Sequence, residues 1–286
     1  MGETIILFNG YKTSRRWYKY RNEYNSENLK RIDFLDRIRE MGEVYIVEEK
    51  YYNLSNYKRK SELTERIYRK YGMYRKNIKF RLEDIDYKKI CERVYRKMKN
   101  KYGNNKRYIV IGHSYGGTLA LLFSKMYKEE CKLCCCLDNP PNIMEFFKKY
   151  DDKENKEVKE EYNEEKLRSE LEYIRRGEKS EEKDRKIDDI FRYTKYRLCE
   201  DRIRYYDENI YIKTIFFRAY YKNINACKFE KDWNKYGKLE EEKYRNNDNL
   251  VKYIYLEEAT HFIWRRQEYS DVIIREIKET INKVNK

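Results

Sequence analysis

Histidine and proline are almost missing from this chain, and glycine is sparse: two, two and ten among 286 residues. Two histidines, His113 and His261, are too few for a Cys/His metal cluster, and no metal or cofactor is expected. The same scarcity leaves only two imidazoles as candidate bases. The prolines are adjacent, Pro140-Pro141, and mark one firm strand stop. No apolar run approaches the roughly 20 residues of a membrane span. The first residues lack the basic stretch and apolar core of a secretory signal, and Ile6 stands where a myristoylation signal needs Ser or Thr. Neither a signal peptide nor that anchor is expected.

Cysteine is present in an odd number, seven, and three are consecutive, Cys134-Cys135-Cys136, within an apolar run. Neighbours on a strand point to opposite faces, so this run reads as a buried strand and not as a disulfide framework or zinc site. A reduced, cytoplasmic protein is expected. Charged residues make up 41% and the formal net charge is +15. Such a balance can signal an anionic partner. Here the basic residues are dispersed and interleaved with Glu, which favours a bias of composition, and nucleic acid is not expected as a partner. The densest basic, Tyr-rich stretch runs from Tyr51 to Phe80. It could grip a nucleic acid or a phosphorylated ligand; a solvated helix with tyrosines packed on a sheet edge is favoured.

The rare glycines are not spread evenly. Three of the ten fall within Gly112–Gly117. Tyr108 to Ile111 is a short apolar, β-branched run, Gly112-His113-Ser114-Tyr115-Gly116-Gly117 follows, and an apolar helix-favouring segment comes next. Strand, sharp turn and helix with a serine at the apex form the nucleophile elbow of α/β-hydrolases. Small residues are needed because side chains at Gly112 and Gly116 would collide with the neighbouring strand or helix. The helix after Ser114 presents the positive end of its dipole to a developing oxyanion.

Around this elbow the chain alternates strands and helices, as a mostly parallel sheet requires. Thr4–Phe8 is a strand, a helix with Leu29, Ile32, Leu35, Ile38 and Met41 on one face follows, Gly42 ends it, and Val44–Val47 is the next strand. A helix over Asp84–Lys101 leads to the elbow strand. Cys131–Leu137 is the strand after the elbow helix and ends in Asp138-Asn139-Pro140-Pro141. Residues 143–208 are densely charged with apolar positions at helical spacing, and read as a helical lid inserted into a single domain of residues 1–286. Ile210–Tyr221 is a strand, a loop containing Trp233 follows, Leu250–Leu256 is the last strand, and an amphipathic helix with Val272, Ile273, Ile277 and Ile281 closes the chain.

Ser114 needs a base. His113 adjoins it, but an elbow points that side chain elsewhere, so it reads as structural. His261 lies in the loop after the last strand, where this fold presents its base, and the order Ser, acid, His fits. The acid has two candidates. Asp138 ends the strand after the elbow helix; Asp232 follows the penultimate strand. Asp138 is favoured, since α/β sheets build sites at strand carboxyl ends. The oxyanion hole takes two backbone amides, expected from Tyr115 and, in the loop after the first strand, Tyr11.

These residues resemble the thioesterase domains of fatty acid, polyketide and nonribosomal peptide synthases. The resemblance rests on Phe8-Asn9-Gly10, the elbow, Leu137-Asp138-Asn139-Pro140, Phe217-Arg218-Ala219, Trp233 and Thr260-His261-Phe262. It implies an α/β-hydrolase fold, an acid at Asp138, a helical lid before the next strand, and cleavage of an acyl thioester carried by coenzyme A or an acyl carrier protein. Two departures stand out: the basic Tyr51–Phe80 stretch is long, and Glu258-Ala259 replaces the glycine expected before His261. An oxyester substrate uses the same residues. A non-catalytic module that holds an anionic partner on the same fold is the alternative of another class.

Overall fold

The computed structural model describes residues 2–8, 34–47, 87–104, 106–139, 210–222, 227–245, 249–264 and 266–284. The chain divides into two compact units. The first joins Met1–Glu48, Cys91–Ile143 and Tyr206–Lys286; the second joins Glu49–Ile90 and Met144–Tyr205. Of the second, only Tyr87–Ile90, the first turn of a helix, is described. The stretch Tyr51–Phe80 and the expected lid, 143–208, lie outside the described residues, as does Tyr11.

Six strands form one sheet: β1 (Glu3–Phe8), β2 (Gly42–Val47), β3 (Tyr108–His113), β4 (Cys131–Leu137), β5 (Thr214–Tyr220) and β6 (Val251–Glu257). Their order is β2-β1-β3-β4-β5-β6 and every pairing is parallel. The helices are α1 (Phe34–Met41), α2 (Tyr87–Tyr102), α3 (Tyr115–Met126), α4 (Lys228–Tyr244) and α5 (Gln267–Val284). Strands β1 and β3 to β5 are near-continuous apolar runs because parallel strands are covered on both faces. Alternate residues then pack to opposite sides. Ile5, Leu7, Ile109 and Ile111 face a core shared with α1 and α5. Phe8 turns the other way onto Phe123 of α3, with ring centroids 5.8 Å apart, and Phe216 stacks on Tyr244 of α4. The triple cysteine sits at the centre of β4, fully buried and free of disulfides.

Three elements differ from the sequence reading. Trp233 lies on a 17-residue helix, α4, where a loop was expected. Its buried face is made of Trp233, Tyr236, Gly237, Glu240 and Tyr244, so helical spacing is carried by aromatics, a glycine and a glutamate instead of aliphatic residues. Strand β5 starts at Thr214, not Ile210. The Thr214 hydroxyl donates to the Ile212 carbonyl at 3.0 Å, a local bond that competes with ladder pairing. Gly42 does not merely end α1; it is the first residue of β2, paired with Glu3.

Candidate active site

Because all six strands are parallel, their carboxyl ends share one edge of the sheet, and the turns after β3, β4 and β6 meet there. Each turn carries one strained backbone position. Ser114, between β3 and α3, has φ 53 and ψ −128. A non-glycine residue rarely adopts such angles unless its surroundings over-determine it. The Ser114 amide donates to the Leu137 carbonyl at 2.9 Å, and the Gly117 amide donates to the Ser114 carbonyl at 2.8 Å. A Cβ on Gly112 would stand 2.1 Å from the Gly116 carbonyl oxygen. Strand and helix therefore approach too closely for any side chain there. Tyr115 is the first residue of α3.

Asp138 follows β4 and is fully buried, with φ 44. Aspartate tolerates this left-handed region better than most residues. Its amide donates to the Phe217 carbonyl at 2.8 Å, and its Oδ1 accepts the Ala219 amide at 3.0 Å. Its Oδ2 lies 2.6 Å from Nδ1 of His261. A carboxylate accepts in such a contact, so the proton is on Nδ1 and Nε2 is left as the ring's acceptor. The His261 side chain is 38% exposed, against 1% for that of Asp138. The Trp233 ring stands edge-on to the imidazole at 6.0 Å. Burial, and after it Asp138, pushes the Tyr221 phenol well above its ordinary range, so it stays neutral beside the carboxylate.

The loop that delivers His261 begins at Glu258, with φ 56. Its amide donates to the Tyr220 carbonyl at 2.9 Å and its Oε1 accepts the Lys222 amide at 3.0 Å. The glutamate thus sustains the conformation for which a glycine was expected. Of the two candidate acids, Asp138 is the one against His261; Asp232 lies on the second turn of α4. His113 also takes part: Nε2 is 3.1 Å from the His261 carbonyl, which can only accept, so Nε2–H donates.

Sequence reasoning missed the support beneath Asp138. Arg218 and Glu240, 2% and 1% exposed, form a buried ion pair between β5 and α4. Arg218 Nη1 also donates to the Asn139 carbonyl, and the Asn139 side chain accepts the Thr118 hydroxyl at 3.3 Å. A charge inside the apolar run Ile215-Phe-Phe-Arg-Ala219 was the available signal, since a buried guanidinium needs a partner. Its partner stood in the segment read as a loop. Among the described residues, no group of His, Cys, Asp and Glu side chains could hold a metal ion, and no helix is long and apolar enough to cross a membrane.

No protein-family model and no curated protein sequence matches this chain. Solved structures do. MGS-MChE2, an α/β hydrolase from a lagoon-sediment metagenome of Mar Chica, Morocco, is 14% identical, with 100% of this chain and 93% of that one covered and a TM-score of 0.54. A marine microorganism esterase is 15% identical, covering 98% and 95%, with a TM-score of 0.51. MenH from S. aureus is 12% identical, covering 99% and 95%, also at 0.51. The fold is the α/β-hydrolase fold. Its structural neighbours include hydrolytic enzymes by name, at identities where likeness speaks for the fold alone.

Proposed function

We propose that this protein is a serine hydrolase that cleaves acyl thioesters. The observation that carries the reading is the 2.6 Å contact of Asp138 with His261, at the sheet edge where Ser114 heads the elbow. With Nδ1–H committed to Asp138, Nε2 of His261 is the free base of the ring. It takes the Ser114 proton as Oγ bonds to the acyl carbon, and the Tyr115 and Tyr11 amides hold the oxyanion. The carbon–sulfur bond breaks, the thiolate leaves with the proton from His261, and water activated by the same imidazole releases the acid from the acyl-enzyme. Asp138 stabilises the imidazolium formed in each half.

A thioester is favoured over an oxyester because the acid follows β4, the position that the synthase thioesterase resemblance implies. The donor fits coenzyme A or an acyl carrier protein, both anionic, against a net charge of +15. Residues 143–208 serve as the lid of a single-domain enzyme, on the strength of their helical apolar spacing. The six described cysteines are free, in keeping with the cytoplasm.

Labelling by a fluorophosphonate probe tests the reading. Wild type should label strongly, and Ser114→Ala and His261→Ala should not. A panel of matched acyl thioesters and oxyesters should then favour the thioesters. Folded wild type that resists the probe overturns the hydrolase reading and favours the anionic-partner module; a preference for oxyesters overturns only the thioester assignment.

A further inference from the structure

We propose that His113, the residue before the nucleophile, is a positioning residue for the base His261. This rests on the hydrolase reading above, and it identifies what anchors the backbone that carries the imidazole.

The loop that carries His261 leaves β6 at a positive-φ turn, and its described residues up to α5 belong to no helix or strand. Asp138 holds only the ring, through one atom. A ring tethered by one hydrogen bond can swing about that bond, and a base misplaced by about 1 Å can lose roughly a hundredfold in rate. The backbone of His261 therefore needs a second anchor. His113 supplies it. It is the last residue of β3, 1% exposed, and its position is fixed by the sheet. Its Nε2–H donates to the His261 carbonyl at 3.1 Å, across 148 residues of chain.

The ring of His113 is itself clamped. Trp264 meets it edge-on at 4.3 Å, Phe262 lies at 5.5 Å, and the His261 imidazole at 4.7 Å. Trp264 in turn stacks on Phe34 of α1 at 6.0 Å and is 1% exposed. Ser114 and His113 are consecutive, so the turn that aims the nucleophile also sets the anchor of the base. A shift of the elbow would carry both together. The turn that carries Oγ then also fixes the backbone from which the imidazole hangs, which is what preorganised proton transfer requires.

Three substitutions separate this role from mere packing. In His113→Gln the amide nitrogen is as many bonds from Cβ as Nε2 of histidine, so the donor is kept. In His113→Asn it is one bond short, and His113→Leu has no donor. Each variant is purified, its folding confirmed by circular dichroism, and two quantities are read. The first is the rate of fluorophosphonate labelling, with kcat and KM on the best thioester. The second is the low-field imidazole proton of His261 Nδ1, by NMR on 15N-histidine-labelled protein. The expected result is a fall in labelling rate and kcat of roughly tenfold to a hundredfold for Leu and Asn, with KM within about twofold, and recovery of most of that loss by Gln. The Nδ1 proton should be sharp in wild type and Gln, and broadened in Leu and Asn. A Leu variant with wild-type labelling and an unchanged Nδ1 proton overturns the inference. Equal losses in Gln, Asn and Leu also overturn it, because packing and not the donor would then be at work. Wild type that never labels overturns the hydrolase reading instead, and the NMR comparison alone still decides whether His113 anchors the loop.

Discussion

Asp138 is shared between strand β5 and the loop after β6: one carboxylate oxygen accepts the Ala219 amide at 3.0 Å, the other meets His261 at 2.6 Å. Asp138→Asn keeps the shape, but with its amide oxygen accepting the Ala219 N–H its nitrogen faces Nδ1 of His261, favouring the wrong imidazole tautomer. A kcat loss of roughly 10³- to 10⁴-fold is expected, with binding little changed. Asp138→Ala additionally strands a buried amide, which costs about 1–3 kcal/mol of stability. Steady-state kinetics and urea unfolding separate the two effects.

Removing one partner of the Arg218–Glu240 pair leaves a buried charge without its counter-ion. Arg218→Met or Glu240→Leu should each destabilise by roughly 3–5 kcal/mol, whereas the double variant recovers a large part of the sum. A double-mutant cycle in urea measures this. Arg218 also holds the Asn139 carbonyl, so the double variant should fold yet label more slowly with the fluorophosphonate.

Gly237 offers a change in the opposite direction. It lies inside α4, and a Cβ there would meet only Arg218, at 3.9 Å, an ordinary contact. Gly237→Ala should raise stability by about 1 kcal/mol through helix propensity. The midpoint of thermal unfolding should rise with no change in labelling rate.

Thiol chemistry gives a further check. Burial pushes the Cys131, Cys135 and Cys136 thiols well above their ordinary range, so they hold no thiolate at neutral pH. Cys227, at the start of α4, is exposed. In native protein iodoacetamide should modify Cys227 within minutes and spare Cys131, Cys134, Cys135 and Cys136 until the sheet unfolds. Mass spectrometry after pulsed alkylation reads this directly.

How far the sequence revealed all this depended on how local each signal was. The strand–turn–helix of the elbow was legible because its tight geometry is written in six consecutive residues. The buried strands were legible because parallel strands covered on both faces are apolar throughout. Helix α4 was not, since its inward face uses Glu240 and Gly237, and burying a glutamate makes sense only once Arg218 stands opposite. Glu258 looked like a departure because glycine is the usual answer to a positive φ; the residue instead holds the turn with its own carboxylate and the Lys222 amide. Asp138 could be preferred over Asp232 from strand-end position, while the contact with His261 bridges 123 residues and has no counterpart in local pattern.

That separation has a consequence for how the chain is made. Ser114 and Asp138 lie in the first half of the chain, whereas His261 follows β6, the strand that pairs with β5. Contacts between such distant residues form late in folding, because closing long loops is slow. If the proposed function holds, a nascent chain on the ribosome would carry a finished elbow without an activated serine. On that proposal, reactivity toward acyl groups would switch on in one step, when the final strand is seated. Arrested or truncated products would be inert, and the gain of probe labelling would serve as a clock for completion of the sheet.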